Sequence, residues 1–295
     1  MTSPEKQTVA FLGIAGSYSH QAARELFPDC ALVSQKRIPD VFAAVERGAV
    51  DFGVVPIENS IAGRVTETYE SLSSTSVSIL REHFVEIRHC LAVTAAADAK
   101  SGDVSALRKV YSHKQALMQC SDWLKANLPE AEQIEASDTA SAAKTVAELG
   151  STNAAAICSA HAAELYELDV VPVEIQNEFQ NHTRFFSISR EGASQKGDTA
   201  GHLMSLVFQV RHTPGALLKV LEEIAKHKLN MTKLETYMVS HGRGLPTFYA
   251  DIGGDEAALS ALANALAPHV SLLRVLGVYP ASSLREEISG FLPVT

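Results

Sequence analysis

Val54-Val55-Pro56-Ile57-Glu58-Asn59-Ser60 reads as a short apolar strand that ends in polar side chains, with Gly63 and a helix from about Thr66 behind it. A strand with no polar alternation is buried on both faces, and a loop and helix after it make an α/β unit. In such sheets ligands bind beyond the carboxyl ends of the strands, so Glu58, Asn59 and Ser60 stand where a site is built. Read alone, the segment is equally a capped loop.

The same alternation extends on either side. Strands are expected at Val9 to Gly13, Phe52 to Val55, Ile87 to Thr94, Lys109 to Tyr111 and Ala154 to Ile157, with helices between them and mostly parallel pairing. Ser17 to Phe27 places Ala22, Ala23, Leu26 and Phe27 on one helical face, and Asp138 to Leu149 starts at an Asp cap and stops before Gly150. The composition then turns polar and glycine-bearing, which marks a linker over residues 191–202. Beyond it the order is strand Leu203 to Val210, helix Pro214 to about His227, strand Met231 to Val239, strand Thr247 to Ile252, helix Asp255 to Leu266 and strand Leu272 to Val278. This is the ferredoxin-like βαββαβ order. Pro214 is expected at the first helical position with Thr213 as its cap. A module this small exposes a sheet face or edge unless something covers it, and a second copy of the chain is a natural cover.

At 295 residues the chain is long enough for two or three compact units, and 46% hydrophobic residues suffice for real cores. Its 25 basic against 34 acidic side chains leave a formal charge of −9, the wrong sign for a nucleic-acid binder without a segregated basic patch. The apolar run Val9 to Leu12 is too short for a secretory core or a membrane span, which points to a cytoplasmic protein. Cys30, Cys90, Cys120 and Cys158 are widely spaced and read as buried, reduced thiols. The histidines show no zinc-site spacing, and no metal is expected.

Three further segments carry candidate chemistry. Asn181-His182-Thr183-Arg184-Phe185-Phe186 enters a strand-like run and, alone, reads more readily as a polar turn with Arg184 in a surface ion pair. Val110-Tyr111-Ser112-His113-Lys114-Gln115-Ala116-Leu117 passes from strand end to helix start, where Ser112 is able to cap and the free N–H groups suit a carboxylate. Gly13-Ile14-Ala15-Gly16-Ser17-Tyr18-Ser19 repeats that geometry at the first strand and lacks the GxGxxG dinucleotide fingerprint.

Together, in order and spacing across nearly the whole chain, these segments resemble the prephenate dehydratase family. The resemblance rests on Gly13 to Ser19 with Ala22-Ala23, Val55 to Ser60 with Gly63 and Val65, Ser112-His113 with Gln115-Ala116-Leu117, Asp138-Thr139-Ala140, and Thr183-Arg184-Phe185. Lys114 stands where the family often has proline. The C-terminal region resembles an ACT regulatory domain: Gly215-Ala216-Leu217 matches the first effector motif, whereas the second, usually Glu-Ser-Arg-Pro, is Glu235-Thr236-Tyr237-Met238 here and keeps only its glutamate.

The resemblance implies a catalytic domain over 8–190 with two lobes like those of periplasmic binding proteins, the first about 8–84 plus 180–190 and the second about 85–179. An ACT domain over 203–280 and a tail over 281–295 follow. It implies loss of carbon dioxide and water from prephenate, driven by aromatisation, so that no cofactor is needed. Thr183 is then the donor to the departing hydroxyl, Arg184 or a helix N-terminus the carboxylate anchor, and Phe185 the apolar wall. Asn59, Ser60, Ser112 and Gln115 are orienting groups, and Glu58, repelled by a dianion, takes a structural or hydrogen-bonding role at the site. His182 and His113 flank the motifs and rank below Thr183. Phenylalanine is the implied effector at Gly215, Ala216, Leu217, Glu235 and Thr236, in a homodimer or homotetramer. Arogenate dehydratase is the rival within the enzyme class, and a small-anion or amino-acid binding protein the rival outside it. A chorismate-mutase fusion is not expected, because no long helical segment precedes Val9.

Overall fold

The computed structural model describes residues 6–190, 201–238, 246–288, 291, 292 and 294. Up to residue 86 the elements are β1 (Thr8–Leu12), α1 (Tyr18–Leu26), β2 (Ala31–Gln35), α2 (Ile38–Glu46), β3 (Phe52–Asn59), β4 (Gly63–Arg64), α3 (Thr66–Ser74) and β5 (Ser78–Glu86). Next come β6 (Cys90–Val93), β7 (Lys109–Ser112), α4 (Lys114–Gln119), α5 (Ser121–Asn127), β8 (Glu132–Glu135), α6 (Thr139–Leu149), β9 (Ala154–Cys158), α7 (Ala160–Leu165), β10 (Asp169–Val170) and β11 (His182–Ser189). The C-terminal module is β12 (His202–Gln209), α8 (Ala216–Lys226), β13 (Asn230–Met238), β14 (Pro246–Gly254), α9 (Glu256–Leu266) and β15 (Leu272–Pro280). The expected linker lies outside the described residues except for Gly201 and His202, as does Val239, the expected last residue of β13.

The chain divides into two compact units, one of residues 1–37, 61–63 and 85–183, the other of residues 38–60, 64–84 and 184–295.

In the first unit β1 and β2 pair in parallel, and a second sheet runs in the order β10-β6-β9-β7-β8. That sheet is mixed, not mostly parallel: β7 is parallel to β8 and β9, while β6 is antiparallel to β9 and β10. Its central strands β6 and β9 are buried on both faces, and the period-2 alternation sorts their residues into two cores. Leu91, Val93, Ala155 and Ile157 belong to one core with Leu107, Leu117 and Leu124. Ala92, Ala156 and Cys158 belong to the other, with Ala140, Ala142, Ala143 and Val146 of α6. Small side chains on both partners let α6 lie close to the sheet. Asp138 caps α6 by accepting from Ser141 N at 2.7 Å, and Gly150 ends it in the left-handed conformation, as the sequence requires.

In the second unit β3, β11 and β5 lie side by side in that order, and the C-terminal module forms the sheet β13-β14-β12-β15, the ferredoxin-like arrangement. Met204, Leu206 and Phe208 of β12 and Phe248, Ala250 and Ile252 of β14 pack against Val220 and Ile224 of α8 and Leu259, Leu262 and Leu266 of α9. Alternation therefore turns Ser205, Tyr249 and Asp251 to the opposite face, and these are buried as well. The cover for that face comes from within the unit: a Cβ on Gly277 of β15 would sit 2.3 Å from the Ile79 carbonyl of β5, so only glycine permits the approach.

Helix α8 starts later than expected. Gly215, at φ +76, is its N-cap, and Ala216 N donates to Thr213 O at 3.1 Å. The left-handed turn at Gly215 places Pro214 before the helix, so neither Pro214 at the first helical position nor the Thr213 cap holds. The tail contains a helical turn at Ser283–Glu286 whose Arg285 is buried. Of the four thiols, Cys120 and Cys158 are buried, whereas Cys30 and Cys90 are only half-buried. Among the described residues no helix is long and apolar enough to cross a membrane.

Candidate active site

Strand β3 is buried from Phe52 to Glu58, and the chain emerges at Asn59 and Ser60, which are half-buried. The change from apolar to polar side chains at Glu58 thus coincides with the end of the strand. Strand β11 behaves alike at its other end: His182 and Thr183 are half-buried, and every residue from Arg184 to Ser189 is buried.

Arg184 is fully buried, and its guanidinium is saturated by protein groups. Nε donates to Glu82 Oε2 at 2.7 Å, Nη1 to Glu58 Oε1 at 3.1 Å and to Asp251 Oδ2 at 2.6 Å, and Nη2 to the Tyr279 hydroxyl at 3.1 Å. The Phe186 ring lies 4.6 Å from the guanidinium carbon. Arg285 closes the far side of Glu82, through Nε at 2.7 Å and Nη2 at 2.9 Å, and Lys233 binds the second oxygen of Glu58. Three carboxylates thus meet three cations, which is how a protein tolerates charges that burial would otherwise make costly. Burial favours the neutral form of Asp251, but Arg184, Arg285 and the Ser205 and Tyr249 hydroxyls outweigh it and hold its pKa below the usual 3.8. Burial likewise works against the Arg184 cation, and Asp251 and Glu82 reverse the effect.

This corrects the expectation that Arg184 holds a substrate carboxylate: a guanidinium with no exposed surface and with carboxylates on Nε and Nη1 has nothing left to offer a ligand. Glu58, expected among the site residues in a structural or hydrogen-bonding role, turns its two oxygens to Arg184 and Lys233. Phe185 is 1% exposed, so it belongs to the core and presents almost no wall to a ligand.

In the first unit Ser112 is also fully buried, and its hydroxyl donates to Ile157 O at 2.6 Å. It is neither the cap of α4 nor an exposed orienting group. The cap is His113, whose Nδ1 accepts from Gln115 N at 3.3 Å, while the Gln115 side chain remains half-buried. Burial of the Ser112 side chain on the sheet side leaves the cap position to the next residue.

The loop after β1 is fixed from several directions. Ser17 caps α1 and donates to Leu12 O, Tyr166 donates to Ala15 O at 2.8 Å, and Ser159 donates to Gly16 O at 3.4 Å. The first unit therefore brings together the 13–19 loop and the two residues that flank α7, segments far apart in sequence. Tyr18 donates to Arg88 O at 2.7 Å and meets His89 Nδ1 at 3.1 Å, and the other ring nitrogen of His89 meets Gln119. Burial pushes the Tyr18 phenol far up and the His89 imidazole down, so both are neutral hydrogen-bonding groups at pH 7.

The candidate effector residues separate into two places. Gly215, Ala216 and Leu217 line an open cavity of about 470 Å³ that also takes in Arg211, Thr213 and Pro246. Glu235 and Thr236 lie on β13 and face Arg64, which reaches Glu235 Oε2 at 3.4 Å and donates to Thr236 O at 3.0 Å. Sequence reading overlooked Arg64, Glu82, Lys233, Asp251 and Arg285. One signal was available: Asp251 is the lone charge in the apolar run Phe248 to Ile252, and a carboxylate inside a strand that apolar needs a buried cation.

A profile of the prephenate dehydratase family matches residues 9–193. A bifunctional chorismate mutase/prephenate dehydratase of Aquifex aeolicus is 35% identical over 285 residues, spanning 96% of this chain and 76% of that one. The chloroplastic arogenate dehydratase/prephenate dehydratase 2 of Arabidopsis thaliana is 35% identical over 287 residues, spanning 93% and 73%. Among solved structures, one described as a quorum quenching acylase, GqqA, superposes with a TM-score of 0.82 at 31% identity, over 95% of this chain and all of that one. The prephenate dehydratase of Arthrobacter aurescens in complex with L-Phe superposes with a TM-score of 0.81 at 28% identity, over 92% and 90%. Motif order, fold and whole-length identity agree, and the chain belongs to the prephenate dehydratase family.

Proposed function

We propose that this chain converts prephenate to phenylpyruvate, carbon dioxide and water, and that phenylalanine regulates it through the C-terminal module. The observation that carries the reading is the family match over residues 9–193, the region that holds Thr183, Asn59, Ser60 and Gln115. These four side chains are half-buried, which is the exposure expected of groups that meet a small ligand.

Thr183 donates a hydrogen bond to the ring hydroxyl as it leaves; a threonine is too weak an acid to release its proton outright, but a donor in a dry site lowers the barrier. Asn59, Ser60 and Gln115 are neutral and orient the ring without adding negative charge against a dianion. With Arg184 committed to Glu82, Glu58 and Asp251, the substrate carboxylates fall to N–H groups at a helix start. The departing carboxylate is held poorly solvated; the electron pair of its C–C bond moves into the ring as carbon dioxide leaves and expels the hydroxyl as hydroxide, which takes a proton from solvent to become water, and the ring is left aromatic.

Prephenate is preferred over arogenate as the substrate on the strength of the Aquifex relative, whose name carries prephenate alone, while the Arabidopsis relative's carries both. The Arthrobacter protein was solved with L-Phe, and the cavity at Gly215 to Leu217 is of a size to admit a single amino acid. Leu218, Leu234, Leu272 and Val275 are exposed on the module and suit pairing of two copies, in a dimer or tetramer.

The test is product formation by purified protein given prephenate or arogenate, each with and without phenylalanine. Phenylpyruvate from prephenate, with a rate that phenylalanine changes, is the expected result. Phenylalanine from arogenate alone would transfer the activity to that substrate.

A further inference from the structure

We propose that Cys90 and Cys158 form a reversible redox pair, in which a peroxide oxidises Cys90 from a cavity of the first unit and Cys158 resolves the product as a disulfide across the sheet.

The topology sets up the pair. Strands β6 and β9 are antiparallel, with Cys90 directly opposite Cys158. Residues opposite each other in such a ladder point their side chains to the same face, with Cα atoms about 4.5 or about 5.5 Å apart according to the hydrogen-bonding site. Both separations fall within the span of about 4.4–6.8 Å that a disulfide bridges, so a bond between the two sulfurs needs side-chain rotation and little movement of the backbone. The two residues are already in contact: the Cys90 thiol donates to Cys158 O at 3.3 Å, and the Cys158 thiol is a hydrogen-bond partner of the Cys90 sulfur. Cys90 follows His89 and Cys158 precedes Ser159, the residues that meet Tyr18 and Gly16, so the bridge forms beside the 13–19 loop.

The two thiols differ in access and in acidity. Cys158 is buried, whereas Cys90 is half-buried and lines an open cavity of about 470 Å³ with Tyr18, His89, Ser159 and His161. The hydrogen bond from Cys158 lowers the Cys90 pKa against the opposing effect of burial, and the same bond together with burial pushes the Cys158 thiol up. The accessible member is thus the better thiolate, and the buried member keeps its proton until an oxidised sulfur stands beside it. Cys120, at the end of α4, is buried and pushed up to about 12, so it competes poorly for a peroxide.

The chemistry closes with hydrogen peroxide as the oxidant. The Cys90 thiolate attacks one peroxide oxygen, the O–O bond breaks, and the departing hydroxide takes up the proton that Cys90 released and becomes water. Cys90 is then a sulfenic acid. The Cys158 sulfur attacks the Cys90 sulfur, the S–O bond breaks, and the departing hydroxide leaves as a second water with the Cys158 proton. The two sulfurs have together lost two electrons to the peroxide, and a dithiol returns them by exchange.

Folded full-length protein treated with hydrogen peroxide, blocked with iodoacetamide and digested without reductant for mass spectrometry tests the pair. The expected product is a peptide containing Cys90 joined to one containing Cys158, lighter by two hydrogens than the two apart and separated again by dithiothreitol. In Cys158→Ser the oxidation is expected to stop at the Cys90 sulfenic acid, which dimedone captures; Cys158→Ala takes its place should that variant fail to fold. In Cys90→Ser, Cys158 is expected to stay reduced. Recovery of both cysteines as blocked, unlinked thiols from the treated native protein overturns the proposal, as does linkage of Cys90 to a different cysteine or undiminished oxidation of Cys158 in Cys90→Ser.

Discussion

Arg184 Nη1 and Asp251 Oδ2 meet at 2.6 Å with both side chains fully buried, which ties the strand that carries Thr183 to a central strand of the C-terminal module. The contact is the core of a neutral group of charges, and it explains why an arginine beside a candidate catalytic threonine has no free surface.

Removal of one member leaves a buried charge without compensation. Asp251→Asn is expected to destabilise the protein by about 3–5 kcal/mol, the usual cost of breaking a buried pair. The midpoint of urea unfolding reads this directly. Replacing the pair together, Arg184→Met with Asp251→Leu, is expected to recover part of the loss, because no isolated charge then remains.

The same group makes stability depend on acid. The pKa of Asp251 is lower in the folded protein than in the unfolded chain, where it is near the ordinary 3.8. Its contribution is therefore fully present above the unfolded value and is lost as pH falls through the folded one. Unfolding free energy measured from about pH 6 to about pH 3 is expected to fall at the acid end, over the range where carboxylates titrate. Asp251→Asn flattens part of that slope.

Ser112 stands in a family motif, yet its hydroxyl is spent on the Ile157 carbonyl. Ser112→Ala is expected to cost about 1–2 kcal/mol of stability, the cost of leaving a buried carbonyl unpaired. The KM for prephenate is expected to stay within about twofold. A large rise in KM at unchanged stability would return Ser112 to the substrate.

The order of the elements in the C-terminal module was legible in the sequence, although α8 was expected to start at Pro214 with Thr213 as its cap, where Gly215 is the N-cap, and Asp255, expected as the first residue of α9, is its cap. Sequence reading placed α6 between Asp138 and Gly150. It missed β2, β8 and β10, which are short and carry weak or no apolar alternation, and it missed β5, whose Arg81, Glu82 and His83 interrupt the apolar pattern. The site was legible only in part. Thr183, Asn59, Ser60 and Gln115 are local features of motifs, whereas the fate of Arg184 depends on Glu82, Asp251 and Tyr279, which lie 102, 67 and 95 residues away. No local pattern reports that a cation will find three partners at such separations. The lone Asp251 in its apolar strand shows only that some cation is required.

Thr183 is proposed as the donor in the reaction while Arg184 is part of the buried charge group, and the measurement that tests this most directly is turnover of prephenate by Thr183→Ala set beside its unfolding midpoint. The expected result is a fall in kcat of about 10²-fold or more, the range of a positioned donor, with the midpoint close to that of the unaltered protein. A rate near that of the unaltered protein would contradict the assignment and remove Thr183 from the reaction.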